Sequence, residues 1–192
     1  MKLIQLRLKN FRCYQEETTI AFDDFTAIIG VNDVGKSAIL DALDIFFENI
    51  KLDKDDASLN GNRSEVIIAC TFSNIPELAV IDELHPTSFL DEHLLNDQGH
   101  LEIVKSYNGA IGTPSLRETS ARAYHPTRDG VSDLLQLTIA KLRTRANSLA
   151  VDLTDVDENK KAPIRSAIRE QVGELECRVT NVPLDKEDAK QI

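Results

Sequence analysis

Gly30-Val31-Asn32-Asp33-Val34-Gly35-Lys36-Ser37 places a lysine and a hydroxyl at the end of a loop bracketed by two glycines. The spacing is G-x-x-x-x-G-K-[ST], and its chemistry is the holding of phosphate. In such a loop the backbone amides turn inward, and the amino end of the following helix adds partial positive charge, which together make a nest for phosphate oxygens. Lys36 would reach the β- and γ-phosphates and the Ser37 hydroxyl would ligate a magnesium ion shared by them. The ligand this pattern suits is a nucleoside triphosphate.

Two elements must position that loop. Upstream, Thr26-Ala27-Ile28-Ile29 is a short apolar run that reads as a strand buried on both faces. Downstream, Ile39, Leu40, Leu43, Phe46 and Phe47 recur at three- and four-residue steps, which predicts a helix from near Gly35 with its apolar stripe against a sheet. Further back, "MKLIQLRLK" alternates Ile4, Leu6 and Leu8 with Gln5, Arg7 and Lys9, and Thr18 to Phe22 is a second short strand. The chain therefore opens as a hairpin that leads into the nucleotide strand.

Beyond the helix, Glu48 to Arg63 is polar, carries the turn signal Asn60-Gly61, and reads mostly as surface loop. Glu65 to Phe72 and Leu101 to Tyr107 are predicted strands, with another short one at Ala121 to Tyr124. Helical spacing follows at Val131, Leu134, Leu135, Thr138, Ile139 and Leu142. A second helix runs through Ile164, Ala167, Ile168, Val172 and Leu175, with Pro163 in its first turn. The acidic stretch "DLTDVDENKK" between them suits a solvated linker.

The 192 residues are 42% hydrophobic and 28% charged, enough for a globular core. A net charge of −10 means that attraction to nucleic acid would have to come from a local patch or from another part of the protein. Cys13, Cys70 and Cys177 form no C-x-x-C pair, and with no secretory pattern at the amino terminus they suit reduced thiols in a cytoplasmic protein. No run approaches the roughly twenty apolar residues of a membrane helix. His85, His93, His100 and His125, with Asp91 and Glu92 nearby, have no familiar zinc spacing and read as polar surface.

"LRLKNFRCYQEETTIAF" followed by "AIIGVNDVGKSAILDALDIF" resembles the amino-terminal half of an ABC-type ATPase of the SMC and RecF-like branch. Within that branch it resembles most the OLD (overcoming lysogenisation defect) family of ATP-dependent nucleases. The resemblance implies an α/β P-loop NTPase of ABC/SMC type, here the N-terminal lobe, with a mixed sheet and flanking helices. It implies ATP and Mg2+ as ligands, held by Arg12, Gly30, Asn32, Asp33, Val34, Gly35, Lys36, Ser37 and Ala38, with Ser37 on the metal and Lys36 serving the chemistry. Arg12 comes from the Asn10-Phe11-Arg12 motif, which in the relatives lies beside the nucleotide; its guanidinium could fork onto phosphate or stack on adenine. Asp41, one turn past Ser37, reads as a helix-surface residue. "ARAYHPTRDG" resembles the strand and Pro-x-Arg-Asp segment that follows the first sheet in the relatives, with an ion pair of Arg128 and Asp129 as the plainer reading.

By the same resemblance, residues 1–150 are the ATP-binding lobe, and 151–192 an acidic linker and the start of a helical insertion or dimerisation region. DNA would be engaged by the full-length protein or a missing C-terminal domain, in a homodimer, for DNA repair or phage defence. Val80-Ile81-Asp82-Glu83 imitates a Walker B strand, but it follows the phosphate loop too closely and no S-G-G signature precedes it. "IPELAVIDELHP" reads equally well as a short helix between Pro76 and Pro86. A magnesium-contacting glutamine after the Glu65 strand and a Toprim acidic cluster are both missing from the sequence. The chain therefore has the features of the first lobe of a longer ATPase, catalytically incomplete alone. Two other classes stay open: a self-contained P-loop GTPase or kinase, although Asn159-Lys160-Lys161-Ala162 fails the N-K-x-D base-reading pattern, and a non-hydrolysing interaction domain.

Overall fold

The computed structural model describes residues 1–30, 35–77, 79–82 and 85–184. It is a mixed α/β structure that divides into two compact units, Met1–Asn74 with Glu102–Ser120, and Ile75–Leu101 with Ala121–Ile192. Six strands, β1 (Lys2–Lys9), β2 (Thr18–Ala21), β3 (Val66–Ser73), β6 (Leu101–Asn108), β7 (Ser115–Pro126) and β8 (Cys177–Leu184), hydrogen-bond in the order β2-β1-β3-β6-β7-β8, and β4 (Ala79–Asp82) pairs with β5 (His85–Thr87).

In the first unit, β1 (Lys2–Lys9) lies between β2 (Thr18–Ala21) and β3 (Val66–Ser73), antiparallel to both. Leu6 is opposite Ile20 on one side and Cys70 on the other, and Leu6, Leu8, Ile68 and Cys70 are buried. The opposite face of β1 is less open to water than its polar alternation suggests. Arg7 is buried because its Nη2 meets Glu102 at 2.5 Å and its Nη1 meets Glu17 at 2.9 Å, so the charge is removed from water only with partners in place. β6 (Leu101–Asn108) follows β3 in the order, and then β7 (Ser115–Pro126), which runs on well before the short segment expected at Ala121.

α1 (Lys36–Phe46) begins where the spacing predicted. Its buried face is Ala38, Ile39, Ala42, Ile45 and Phe46, whereas Leu40 and Phe47 are exposed. The stripe is thus rotated from the expected one. The two alanines face inward, where small side chains permit close approach, and Phe46 packs on Phe72 of β3 with ring centroids 6.3 Å apart. Lys105 of β6 closes the helix end by donating to the Phe46 carbonyl at 2.9 Å and to Glu48 at 2.7 Å.

Thr26 to Ile29 is not a buried strand. The segment has no strand geometry, and Phe25 and Ile29 are 88% and 90% exposed. A strand buried on both faces needs neighbours to take its amides and carbonyls, and among the described residues none pairs with it.

In the second unit, β4 (Ala79–Asp82) and β5 (His85–Thr87) form an antiparallel ladder where a short helix was an equal reading. The β-branched pair Val80-Ile81 favours the strand, and Pro86 is tolerated at an edge. The helix expected from Val131 starts later. A 3-10 turn at Leu134–Gln136 precedes α2 (Ile139–Ser148), because Thr138 is extended at φ −71°, ψ 160°. The periodicity nonetheless marked the core, since Val131, Leu134 and Leu142 cluster with Ala146, Ile164 and Ile168. α3 (Lys161–Val172) carries Pro163 in its first turn, where its missing amide costs nothing. β8 (Cys177–Leu184) follows and lies beside β7, although the sequence suggested no strand there.

This unit also buries an ionic triad. Arg165 binds Glu92 through Nη2 at 2.6 Å and Nε at 2.9 Å, and Arg169 reaches the same carboxylate at 2.9 Å. Burial alone would raise the Glu92 carboxyl, but its hydrogen bonds and the two guanidinium charges hold it below the ordinary carboxylate range.

Candidate nucleotide site

Gly35 is the hinge between the loop and α1. It adopts φ +90°, and a Cβ built on it would lie 2.6 Å from Cys13 Sγ and 2.9 Å from Tyr14 Oη, so both backbone conformation and space require glycine. The N-cap residue Gly35 has no side chain with which to cap the helix, and the first turn of α1 carries no acidic residue, so the first amides of α1 have no intrahelical acceptor. Ser37 is exposed at the second helical position, with Ala38 buried behind it. Lys36 donates to the Gly30 carbonyl at 2.5 Å, so its ammonium lies across the two ends of the glycine loop. Asn32, Asp33 and Val34 lie outside the described residues.

These groups fit a triphosphate with a divalent cation: a glycine position that a Cβ would fill, a helix start whose N-cap has no side chain, an ammonium that donates to a backbone carbonyl, and an exposed hydroxyl.

Arg12 is held by two carboxylates. Its Nε binds Asp56 at 2.8 Å and its Nη1 binds Asp41, so the guanidinium ties the hairpin turn to α1. Burial opposes its charge, but the hydrogen bonds and charges of the two aspartates outweigh burial and raise its pKa. Nη2 makes no hydrogen bond among the described residues. Asp41 is thus a partly exposed helix-surface residue that pairs with Arg12. Asn10 holds the same turn from below, accepting from Asn62 N at 3.0 Å and donating to the Glu65 carbonyl at 2.8 Å, while Phe11 is fully buried.

Asp56, Cys13 and Tyr14 were not singled out by sequence reasoning. Cys13 and Tyr14 directly follow Arg12, and that adjacency was the available signal; Asp56 sits in a polar loop with none. The segment Arg128–Gly130 forms a turn whose Arg128 carbonyl accepts from Val131 and Ser132, and the ion pair nearby is Asp133 with Arg145 at 2.8 Å. Asp82 ends β4, and Glu83 lies outside the described residues. His125 spans the carbonyls of His93 and Ser132 at 2.9 and 3.3 Å. Among the described residues no group of three or more His, Cys, Asp or Glu could hold a metal ion, and no helix is long and apolar enough to cross a membrane.

The glycine-loop spacing, followed by an amphipathic helix on an α/β framework, is consistent with a P-loop NTPase. The chain belongs to the AAA ATPase domain family, whose pattern it matches over residues 1–192. That membership makes it a nucleotide-binding ATPase domain and implies ATP with a divalent metal. No curated protein matches the chain.

Proposed function

We propose that this chain is the ATP-binding lobe of a DNA-directed ATPase of the ABC/SMC type, related to the OLD nucleases, and that alone it binds Mg2+-ATP without turning it over. The observation that carries the nucleotide part is Gly35 at φ +90°, the second glycine of the Gly30–Ser37 spacing, standing at the N-cap of α1 with Lys36 and Ser37 in its first turn. The Asn10-Phe11-Arg12 hairpin turn beside it, and Asn32 within the loop, support the SMC-like branch.

Each residue has a role that follows from its chemistry. Amides of Gly35, Lys36 and Ser37 donate to phosphate oxygens at the positive end of the helix. Lys36 exchanges the Gly30 carbonyl for the β- and γ-phosphates, a charged acceptor that it binds more strongly. Ser37 would hold the divalent cation, which neutralises phosphate charge when bound. Arg12 contributes Nη2 to phosphate or to adenine while Nε stays on Asp56. Hydrolysis additionally needs a carboxylate to orient water and donors for the developing charge; the SMC-like reading assigns these to a later Walker B strand and a signature loop of an opposing subunit. DNA engagement and homodimerisation belong to that larger assembly, consistent with the net charge of −10 on this chain.

Calorimetric titration tests the reading. Wild type binds Mg2+-ATP and Lys36→Ala does not; equal affinity of the two overturns the site. Phosphate release and plasmid nicking should stay at background. Turnover that both Lys36→Ala and Glu83→Gln abolish would make Glu83 the catalytic base and this chain a self-sufficient ATPase.

A further inference from the structure

The hairpin turn touches the glycine loop through two side chains that the nucleotide reading leaves without a role. Tyr14 Oη donates to the Gly35 carbonyl at 3.2 Å. Cys13 Sγ packs where a Cβ on Gly35 would stand, at 2.6 Å from that position. The same carbonyl also accepts the first intrahelical bond, from Ile39 N at 3.3 Å, so it is held from two directions.

A planar trans peptide makes this matter for the ligand. The Gly35 carbonyl and the Lys36 amide belong to one peptide plane and point in opposite directions. Anchoring the carbonyl therefore aims the Lys36 N–H, the first amide of α1, away from the helix and toward whatever occupies the loop. Glycine at φ +90° has the freedom to rotate that plane, and Gly35 has no side chain of its own with which to resist. Cys13 limits the rotation by contact and Tyr14 by a hydrogen bond. Burial, followed by the neighbouring Cys13 sulfur, raises the Tyr14 phenol, which keeps it protonated and a donor.

We propose that Tyr14, with Cys13 beside it, is a positioning residue for the phosphate site: it fixes the Gly35–Lys36 peptide so that the Lys36 amide is preoriented toward the triphosphate. This rests on the nucleotide reading above. The cost of an unfixed plane falls on ligands that carry phosphates, whatever base they bear.

Fluorescence titration with a methylanthraniloyl-ATP, displaced by either ATP or inorganic tripolyphosphate, tests it on wild type, Tyr14→Phe and Cys13→Ala. Tyr14→Phe keeps the ring and removes only the hydroxyl. It should weaken ATP and tripolyphosphate by the same factor, about 3- to 10-fold, the worth of one hydrogen bond. Urea unfolding of the nucleotide-free protein should be unchanged. Cys13→Ala should show a smaller loss in the same direction. Wild-type affinity in both variants, or a loss in Tyr14→Phe matched by a fall in nucleotide-free stability, overturns the positioning role while leaving the nucleotide site intact. Failure of wild type to bind the fluorescent nucleotide overturns both.

Discussion

The Nε of Arg12 lies 2.8 Å from Asp56 Oδ1, and Asp56 is buried. The second Asp56 oxygen accepts from Asp53 N at 2.7 Å, so the carboxylate is satisfied only while the guanidinium stays. Arg12→Ala would leave a buried carboxylate short of its charged partner. It should lower unfolding free energy by about 1–3 kcal/mol, read as a shift of the urea midpoint. An unshifted midpoint would show the clasp to be dispensable. Asp41→Asn, which frees Nη1 but leaves Asp56 paired, should cost less, because both members of that pair are about one-third exposed.

Gly35→Ala adds a left-handed alanine and a methyl group into the space of Cys13 and Tyr14. Left-handed backbone costs about 1–2 kcal/mol for an alanine, before the contact is counted. Thermal unfolding should reveal that loss, together with loss of ATP affinity. Combining it with Cys13→Ala should recover only part, since the backbone strain remains; full recovery would assign the whole effect to the contact.

Glu92 is the sole carboxylate in contact with the buried Arg165 and Arg169 among the described residues, and Nε of Arg169 already lacks a partner. Glu92→Ala would strand two guanidinium groups away from water. About 3–5 kcal/mol of stability should be lost in chemical denaturation. A loss below about 1 kcal/mol would mean that water enters and solvates the arginines.

His93 and His125 predict a pH dependence. Burial pushes both below the ordinary value of 6.5, with Arg169 adding to the effect and Glu92 opposing it. The unfolded chain then binds protons more readily than the folded one, so stability is complete above about pH 6.5 and falls as pH drops through the histidine range. Glu92 and Asp133 are depressed carboxylates, whose contribution is lost only in more acidic solution. Urea unfolding at about pH 7.5 and about pH 5 should show the decline, and His125→Gln should lessen it. Parallel slopes for variant and wild type would remove His125 from the account.

Local signals were sufficient for what a residue or its near neighbours decide. The glycine at position 35, the start of α1, the alternation in β1 and the runs of β3 and β6 are stated by spacing alone, because φ/ψ freedom, helix period and strand period are local properties. Periodicity also named core residues correctly where it misplaced the element, as at Val131 and Leu134. Tertiary structure decided everything that depends on a partner distant in the chain. Arg12 meets Asp56 across forty-four positions and Arg165 meets Glu92 across seventy-three, and charge patterns do not specify such pairings. Whether Thr26 to Ile29 is a strand depends on neighbours that would accept its hydrogen bonds, which no run of apolar residues can supply for itself. Tyr14 is the sharpest case: its sequence position puts it in a turn, and only the approach of that turn to Gly35 brings its phenol onto the Gly35 carbonyl.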